Sequence, residues 1–162
     1  LCGSMAFDLA RSRIRNGGMD FMGVVADINS ARKDTILLVD DESAITIIFE
    51  MELARIGYCV LTASNAQQAK RVAAEFHSTI DALVTDWKMP DMMGDQLVSD
   101  LLIQRPGLKV VLMSGSPEAE TASQSFHKDQ LTFLQKPFGI AELNQAIRQL
   151  LGPTNKQSSQ VA

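Results

Sequence analysis

The sequence is poor in cysteine and in aromatic residues. Only two of its 162 residues are cysteines, Cys2 and Cys59, and their separation matches no metal-ligand spacing. Since disulfides are rare in reducing compartments, this usage favours a reduced, intracellular chain without a structural disulfide. Aromatic residues make up 6% of the chain, so the core must be built mainly from aliphatic residues and methionine.

The chain also lacks a long hydrophobic run and an excess of positive charge. No apolar stretch approaches the ~20 residues of a membrane-spanning helix, and the N-terminus lacks the compact apolar stretch of a signal peptide. The net charge is −4, and residues 35–151 carry nine Lys and Arg residues against fifteen Asp and Glu residues. We therefore predict a cytoplasmic protein whose main body binds neither a membrane nor nucleic acid.

Composition and periodicity divide the chain into three parts. Residues 1–34 contain a glycine pair and scattered arginines without sustained periodicity, and we interpret them as a flexible leader. Residues 35–151 carry regular apolar periodicity and form the predicted domain. Residues 152–162 are polar, and we predict that this tail is disordered.

Short apolar runs alternate with amphipathic segments within the predicted domain. Five runs are typical of buried strands, namely 36–39, 58–61, 82–85, 108–113 and 131–134. Helical spacing follows each run, most weakly in a fourth helix over 117–128. This alternation predicts an α/β fold with a doubly wound, five-stranded parallel sheet and helices on both faces. Ligands bind such a sheet at the carboxyl ends of its strands.

Polar residues stand at these strand ends. Asp40 and Asp41 follow the first strand, Asp86 the third, Ser114 the fourth and Lys136 the fifth. Any one of them could be an ordinary loop residue, but that explanation is poor for three carboxylates, a hydroxyl and a lysine at one edge. Crowded carboxylates raise one another's pKa values unless a cation compensates. Oxygen ligands suit Mg²⁺, which keeps several waters and accepts phosphate oxygens.

The strand-end cluster therefore predicts a Mg²⁺ site with an anionic substrate. Asp86 would act as the nucleophile for a phosphoryl group and form an aspartyl phosphate. Such a transfer depends on in-line positioning and charge neutralisation more than on acid–base chemistry. The metal and Lys136 would neutralise the equatorial oxygens, and Ser114 would donate a hydrogen bond to one of them.

Four short motifs, in order and each after an apolar strand, carry a resemblance to a known family. They are Val39-Asp40-Asp41-Glu42, Thr85-Asp86-Trp87-Lys88-Met89-Pro90 followed by Gly94, Met113-Ser114-Gly115, and Lys136-Pro137-Phe138. Over residues 35–151 the chain resembles the receiver domains of two-component response regulators, which have a flavodoxin-like fold. Such a domain is a signalling module that phosphorylates and dephosphorylates itself with Mg²⁺, and not an enzyme acting on other substrates.

The resemblance implies a ligand set and a phosphodonor. Mg²⁺ would be held by Asp41, Asp86 and the backbone carbonyl of Lys88, with Asp40 reaching the metal through water. The donor would be a histidine of a sensor histidine kinase or a histidine phosphotransfer protein, and an unidentified downstream protein would receive the signal. The Lys136–Pro137 peptide bond should be cis.

The resemblance also implies how the signal leaves the domain. Ser114 would move toward the phosphate, and Phe133 would turn inward, so that the fourth helix, fifth strand and fifth helix form the output face. Many relatives carry Tyr in place of Phe133, so a hydroxyl contact is not available here. The alternative for Phe133 is a permanently buried core residue. Lys88 and Ser116 could modulate hydrolysis of the acyl phosphate or be solvated loop residues.

Other functions stay open at this point. Phosphatases of the haloacid dehalogenase type also use an Asp nucleophile and Mg²⁺, but their two carboxylates lie two residues apart, whereas Asp40 and Asp41 are adjacent. A binding module that signals without phosphate is disfavoured because all five site residues are retained. Since no effector domain follows Leu151, we expect a single-domain regulator or phosphate shuttle, or the detached end of a hybrid sensor kinase.

Overall fold

A computed structural model of the chain describes residues 32–152. The predicted flexible leader, residues 1–34, and the predicted disordered tail, residues 152–162, lie almost entirely outside the described residues, so both stay predictions. Within residues 32–152, strands and helices alternate throughout. The elements are β1 Thr35–Val39, α1 Ser43–Ile56, β2 Cys59–Ala63, α2 Ala66–Glu75, β3 Ala82–Asp86, α3 Gly94–Gln104, β4 Lys109–Ser114, α4 Pro117–Ser123, β5 Leu131–Gln135 and α5 Ile140–Leu151.

The five strands form one parallel sheet in the order β2-β1-β3-β4-β5. The chain runs from β1 outward to β2 and then returns to pair β3 with the other side of β1. The direction of winding therefore changes between β1 and β3, and ligands of doubly wound sheets bind at such a switch point. The predicted flavodoxin-like fold class is confirmed. Asp40 follows β1 and Asp86 ends β3, the two strands that flank the switch.

Two hydrophobic clusters cover the two faces of the sheet. Since successive strand residues point to opposite faces, Leu37 packs with α2 and α3, whereas Ile36 and Leu38 pack with α1 and α5. The central strands are therefore apolar at nearly every position, which explains why they read as continuous hydrophobic runs. This double burial fixes the strand ends that carry the site.

The helix ends follow local side-chain chemistry. Gly57 ends α1 with φ 120°, a backbone conformation that favours glycine, and Asn65 caps α2 by accepting a hydrogen bond from the Gln68 N–H at 2.8 Å. α4 ends at Ser123 and is therefore shorter than the predicted helix over 117–128. The hydroxyls of Ser123 and Ser125 donate to nearby carbonyl oxygens at 2.6 and 2.7 Å, which competes with helix continuation.

Candidate functional site

Three of the predicted site residues meet around one ammonium group. Lys136 Nζ lies 2.6 Å from Asp86 Oδ1 and 3.2 Å from Asp40 Oδ2. The side chains of Asp40 and Asp86 are 2% and 11% exposed, and that of Lys136 is 28% exposed. Two nearly buried carboxylates therefore share one cation at the carboxyl edge of the sheet. Burying two like charges this closely is costly without such compensation.

Backbone N–H groups hold the second oxygen of each carboxylate. The Lys88 N–H donates to Asp86 Oδ2 at 2.9 Å, and the Glu42 N–H donates to Asp40 Oδ1 at 2.9 Å. Each carboxylate thus has one oxygen fixed by its own loop and the other directed at Lys136. Both groups are oriented before any ligand arrives.

The charge of Lys136 follows from these contacts. Burial alone would lower its pKa, but the hydrogen bond that Lys136 donates to Asp86, the charge of Asp40 and the charge of Asp86 outweigh burial, so the pKa of Lys136 lies above its usual value. The lysine is therefore a permanent cation at physiological pH. Its backbone is fixed as well, because its N–H donates to the Ser114 carbonyl at 2.8 Å, and the Lys136–Pro137 bond is cis, as the resemblance implied.

Ser114 ends β4 and is buried. Its hydroxyl oxygen accepts a hydrogen bond from the Ser116 N–H at 3.0 Å. Accepting this bond does not use the hydroxyl proton, so Ser114 keeps a donor for another oxygen. Ser116 is half-buried, and its own hydroxyl donates to the Glu118 carboxylate.

The remaining predicted residues lie at the rim or on the edge strand. Asp41 and Lys88 are exposed beside Asp40 and Asp86. Phe133 is half-buried on β5, where it lines an open cavity of about 500 Å³ with residues of α4 and the segment after it. Phe133 is therefore not enclosed in either hydrophobic cluster as a fully buried side chain.

The donor set suits a hard cation. Asp40 and Asp86 offer carboxylate oxygens, Asp41 adds an exposed carboxylate, and the loop after Asp86 carries backbone carbonyls. Within residues 32–152, no three His, Cys, Asp or Glu side chains are already arranged as a metal site. Mg²⁺ does not require such a cage, since it is commonly held by one or two carboxylates, waters and phosphate oxygens.

The loop that follows Asp86 needs a glycine at its end. A Cβ built on Gly94 would lie 2.4 Å from the Asp86 carbonyl oxygen and 2.9 Å from Trp87 Cα. The Gly94 N–H also donates to the Trp87 carbonyl at 2.7 Å. Only a residue without a side chain allows α3 to start this close to the end of β3.

Two contacts near the site were not predicted from the sequence. The Asp91 carboxylate accepts hydrogen bonds from the N–H groups of Ala66 and Gln67, at the start of α2. The ring of Phe138 stacks on that of Phe49 in α1, with centroids 5.6 Å apart and an interplanar angle of 9°. The sequence marked Phe138 as part of a motif, but nothing in it pairs these residues.

Comparison with known proteins defines the family. The family model of the response regulator receiver domain matches residues 36–148, and the chain belongs to this family. Over 117 residues it is 33% identical to the DNA-binding transcriptional regulator NtrC of Azospirillum brasilense, which covers 72% of this chain and 24% of that protein. It is 31% identical over 117 residues to the sensor kinase CckA of Brucella abortus (strain 2308), covering 72% of this chain and 12% of that protein.

A solved structure shows the same fold. The response regulator receiver protein from Sinorhizobium medicae WSM419 is 32% identical, with a TM-score of 0.66, and the match covers 75% of this chain and 97% of that chain. By contrast, this chain spans a quarter or less of the length of NtrC and CckA. The likeness is therefore to a receiver domain and not to the whole of those larger proteins.

Family membership settles the broad class. Receiver domains are signalling domains of two-component systems, generally dependent on Mg²⁺, and not classical enzymes. The predicted receiver identity is confirmed, and the haloacid dehalogenase alternative loses its support. None of the helices among residues 32–152 has both the length and the apolar character needed to cross a membrane.

Proposed function

We propose that Asp86 accepts a phosphoryl group from a histidine of a sensor kinase or a histidine phosphotransfer protein. The observation that supports this most is the Lys136 ammonium shared by the buried carboxylates of Asp86 and Asp40, at the switch point of the sheet. The site combines a fixed nucleophile with a fixed cation on one edge. These are the parts that phosphoryl transfer to a carboxylate requires.

The proposed transfer uses the residues in place. An oxygen of the Asp86 carboxylate attacks phosphorus, a P–O bond forms, and the P–N bond to the donor imidazole breaks with its electron pair kept by the nitrogen. Lys136, already 2.6 Å from Asp86 Oδ1, turns its N–H donors to the phosphoryl oxygens. Bound Mg²⁺ would neutralise the remaining oxygens. Asp41, Asp86 and the Lys88 carbonyl would hold the ion, with Asp40 acting through water.

Phosphorylation would then be read through Ser114 and Phe133. A phosphoryl group adds a charge of about −1.5 to −2 and strong acceptor oxygens, and the spare proton of the Ser114 hydroxyl can be donated to one of them. Phe133 is half-buried beside an open cavity, so it has room to turn inward as Ser114 moves. The face built from α4, β5 and α5 would change shape and bind a downstream protein.

Lys88 and Ser116 are proposed to tune the lifetime of the phosphate. Both stand two residues beyond a site residue, Lys88 after Asp86 and Ser116 after Ser114. Lys88 is exposed and Ser116 is half-buried, so their side chains can control how water reaches the acyl phosphate.

Because a kinase donor draws on ATP, we expect the domain to work in the cytoplasm, either alone or as part of a regulator or hybrid kinase.

The proposal is tested by mass spectrometry after incubation with Mg²⁺ and acetyl phosphate. We expect the wild-type chain to gain the mass of one phosphoryl group and Asp86→Asn to gain none. Asp129→Asn, an exposed carboxylate in the segment before β5, serves as the matched control and should behave like the wild type. Equal gain in wild type and Asp86→Asn would place the acceptor elsewhere, and no gain in any variant would favour a module that signals without phosphate.

A further inference from the structure

The first turn of α2 donates two of its three capping hydrogen bonds to a distant loop. The first N–H groups of a helix have no partner within the helix. Asn65 satisfies that of Gln68 at 2.8 Å, while the Asp91 carboxylate satisfies those of Ala66 and Gln67 at 3.3 and 3.0 Å. α2 has no acidic residue in its first turn, so Asp91 also supplies the negative charge that favours a helix N-terminus.

Asp91 is ionised at this helix end. Desolvation is the largest single influence and would raise its pKa, but the N–H groups of Gln67 and Ala66 donate to the charged form and together help to lower the pKa below its usual value. The Asp91 carboxylate is therefore an anion at neutral pH, and it binds the start of α2 in this charged form. A charge-assisted hydrogen bond of this kind is stronger than a neutral one.

The same residue belongs to the loop that follows the acceptor. This acceptor loop, residues 87–93, is closed at its base by a bridge between Lys88 and Met93 and by the bond from the Gly94 N–H to the Trp87 carbonyl at 2.7 Å. Asp91 lies near the middle of the acceptor loop, three residues after Lys88. The hydrogen bonds that Asp91 accepts from α2 anchor the middle of the acceptor loop to a helix that packs on the sheet.

We infer that Asp91 is a positioning residue for metal binding, which it supports by fixing the acceptor loop and thereby the backbone carbonyl of Lys88. This inference rests on the proposed function, because it takes that carbonyl as a ligand. Mg²⁺ demands near-ideal octahedral geometry, so a carbonyl on a loosened loop binds it less well. Groups that orient metal ligands without touching the metal typically change metal affinity by about 10–100-fold.

The test is a Mg²⁺ titration of the full chain, followed by the fluorescence of Trp87, the only tryptophan and the neighbour of Asp86. We expect Asp91→Ala to raise the dissociation constant of Mg²⁺ about tenfold. Asp91→Asn keeps one oxygen acceptor and should give a smaller increase. Asp91→Asn also tests the inference if Asp91→Ala does not fold.

Asn65→Ala is the matched control. It removes a cap from the same end of α2 without touching the acceptor loop, so it should lower the free energy of unfolding by an amount comparable to Asp91→Ala and leave Mg²⁺ affinity unchanged. Amide hydrogen exchange without metal gives an independent readout. The Lys88 and Gly94 amides should exchange faster in Asp91→Ala than in Asn65→Ala.

The outcomes separate the inference from the proposed function. Wild-type affinity in both Asp91 variants overturns the inference, and so does an equal loss of affinity in Asp91→Ala and Asn65→Ala, which would show a merely structural role. In either case the wild-type chain still binds Mg²⁺ and the proposed function stands. A wild-type chain that binds no Mg²⁺ overturns both.

Discussion

Lys136 and Asp86 lie 50 residues apart in the chain, yet their Nζ and Oδ1 atoms are 2.6 Å apart. β3 and β5 do not pair directly, because β4 lies between them. The lysine spans that strand, while its own backbone N–H is held by the Ser114 carbonyl at the end of β4. The contact thus reports the correct register of three strands at once, which makes it a useful probe of the site.

The first prediction concerns the pH dependence of this contact. Because the folded pKa of Lys136 is raised, its stabilising contribution is complete below the unfolded pKa of about 10.4 and is lost as pH rises through the folded value. We expect Lys136→Met to lower the free energy of unfolding at pH 7 by about 1–3 kcal/mol, since two buried carboxylates lose their donor. The difference from wild type should shrink as pH rises through the folded pKa of Lys136.

Urea denaturation of both chains over a pH series measures this difference. Lys128→Met removes an exposed lysine and should stay close to wild type at every pH. A gap between Lys136→Met and wild type that stays constant through the alkaline range would show that the ion pair does not stabilise the fold. Titration of Tyr58, whose pKa is raised by burial, affects both chains equally and cancels in the difference.

A second prediction concerns the close approach at Gly94. A Cβ there would meet the Asp86 carbonyl oxygen at 2.4 Å and Leu112 Cδ1 at 3.1 Å. The first contact is with backbone, which cannot move aside as a flexible side chain can. We expect Gly94→Ala to lower the free energy of unfolding by about 1–3 kcal/mol, as overpacking does, and to reduce phosphorylation of Asp86.

Gly107→Ala is the control for that substitution. No heavy atom lies within 4 Å of a Cβ built there, so its stability in urea should match wild type to within about 0.5 kcal/mol. Equal shifts in the two urea midpoints would mean that any added methyl group disturbs the fold. The close approach at Gly94 would then have no special role.

The sequence was sufficient for the fold class and for the centre of the site. Asp40, Asp86 and Lys136 could be predicted to meet because parallel strands end at one edge, and a polar residue after an apolar run marks that edge. The bonds from Asp91 to α2 could not be predicted, since they join a loop side chain to backbone N–H groups 24 and 25 residues away. Apolar periodicity shows that Phe49 is on a helix face, but it does not specify Phe138 as its partner.

The stack of Phe49 on Phe138 gives a third prediction. Phe138 lies two residues after Lys136, so the stack ties the loop that carries the lysine to α1. Stacked aromatic pairs contribute about 0.5–1.5 kcal/mol beyond their burial. A double-mutant cycle with Phe49→Leu and Phe138→Leu, measured by urea denaturation, should give a coupling energy in that range.

The control cycle combines Phe49→Leu with Phe126→Leu. Phe126 packs against the cluster on the opposite face of the sheet, so these two changes should be additive to within about 0.5 kcal/mol. If the Phe49 and Phe138 changes are equally additive, the stack adds nothing beyond burial. The position of Lys136 would then not depend on the stack.

The last prediction concerns Arg105, which follows α3 and closes the end of α2. Its guanidinium donates to the carbonyl oxygens of Ala73 and Phe76 at 2.7 Å each and to that of Ser78 at 3.0 Å. The final carbonyls of a helix lack partners within it. A guanidinium presents five donors in a rigid planar fork, whereas the three donors of an ammonium all radiate from one nitrogen. Arg105→Lys should therefore lower the free energy of unfolding by about 1–2 kcal/mol.

Arg71→Lys is the control, because Arg71 lies on the exposed surface of α2. Its urea midpoint should equal that of the wild type. If Arg105→Lys has the same midpoint as Arg71→Lys, charge alone, and not the geometry of the fork, holds the end of α2.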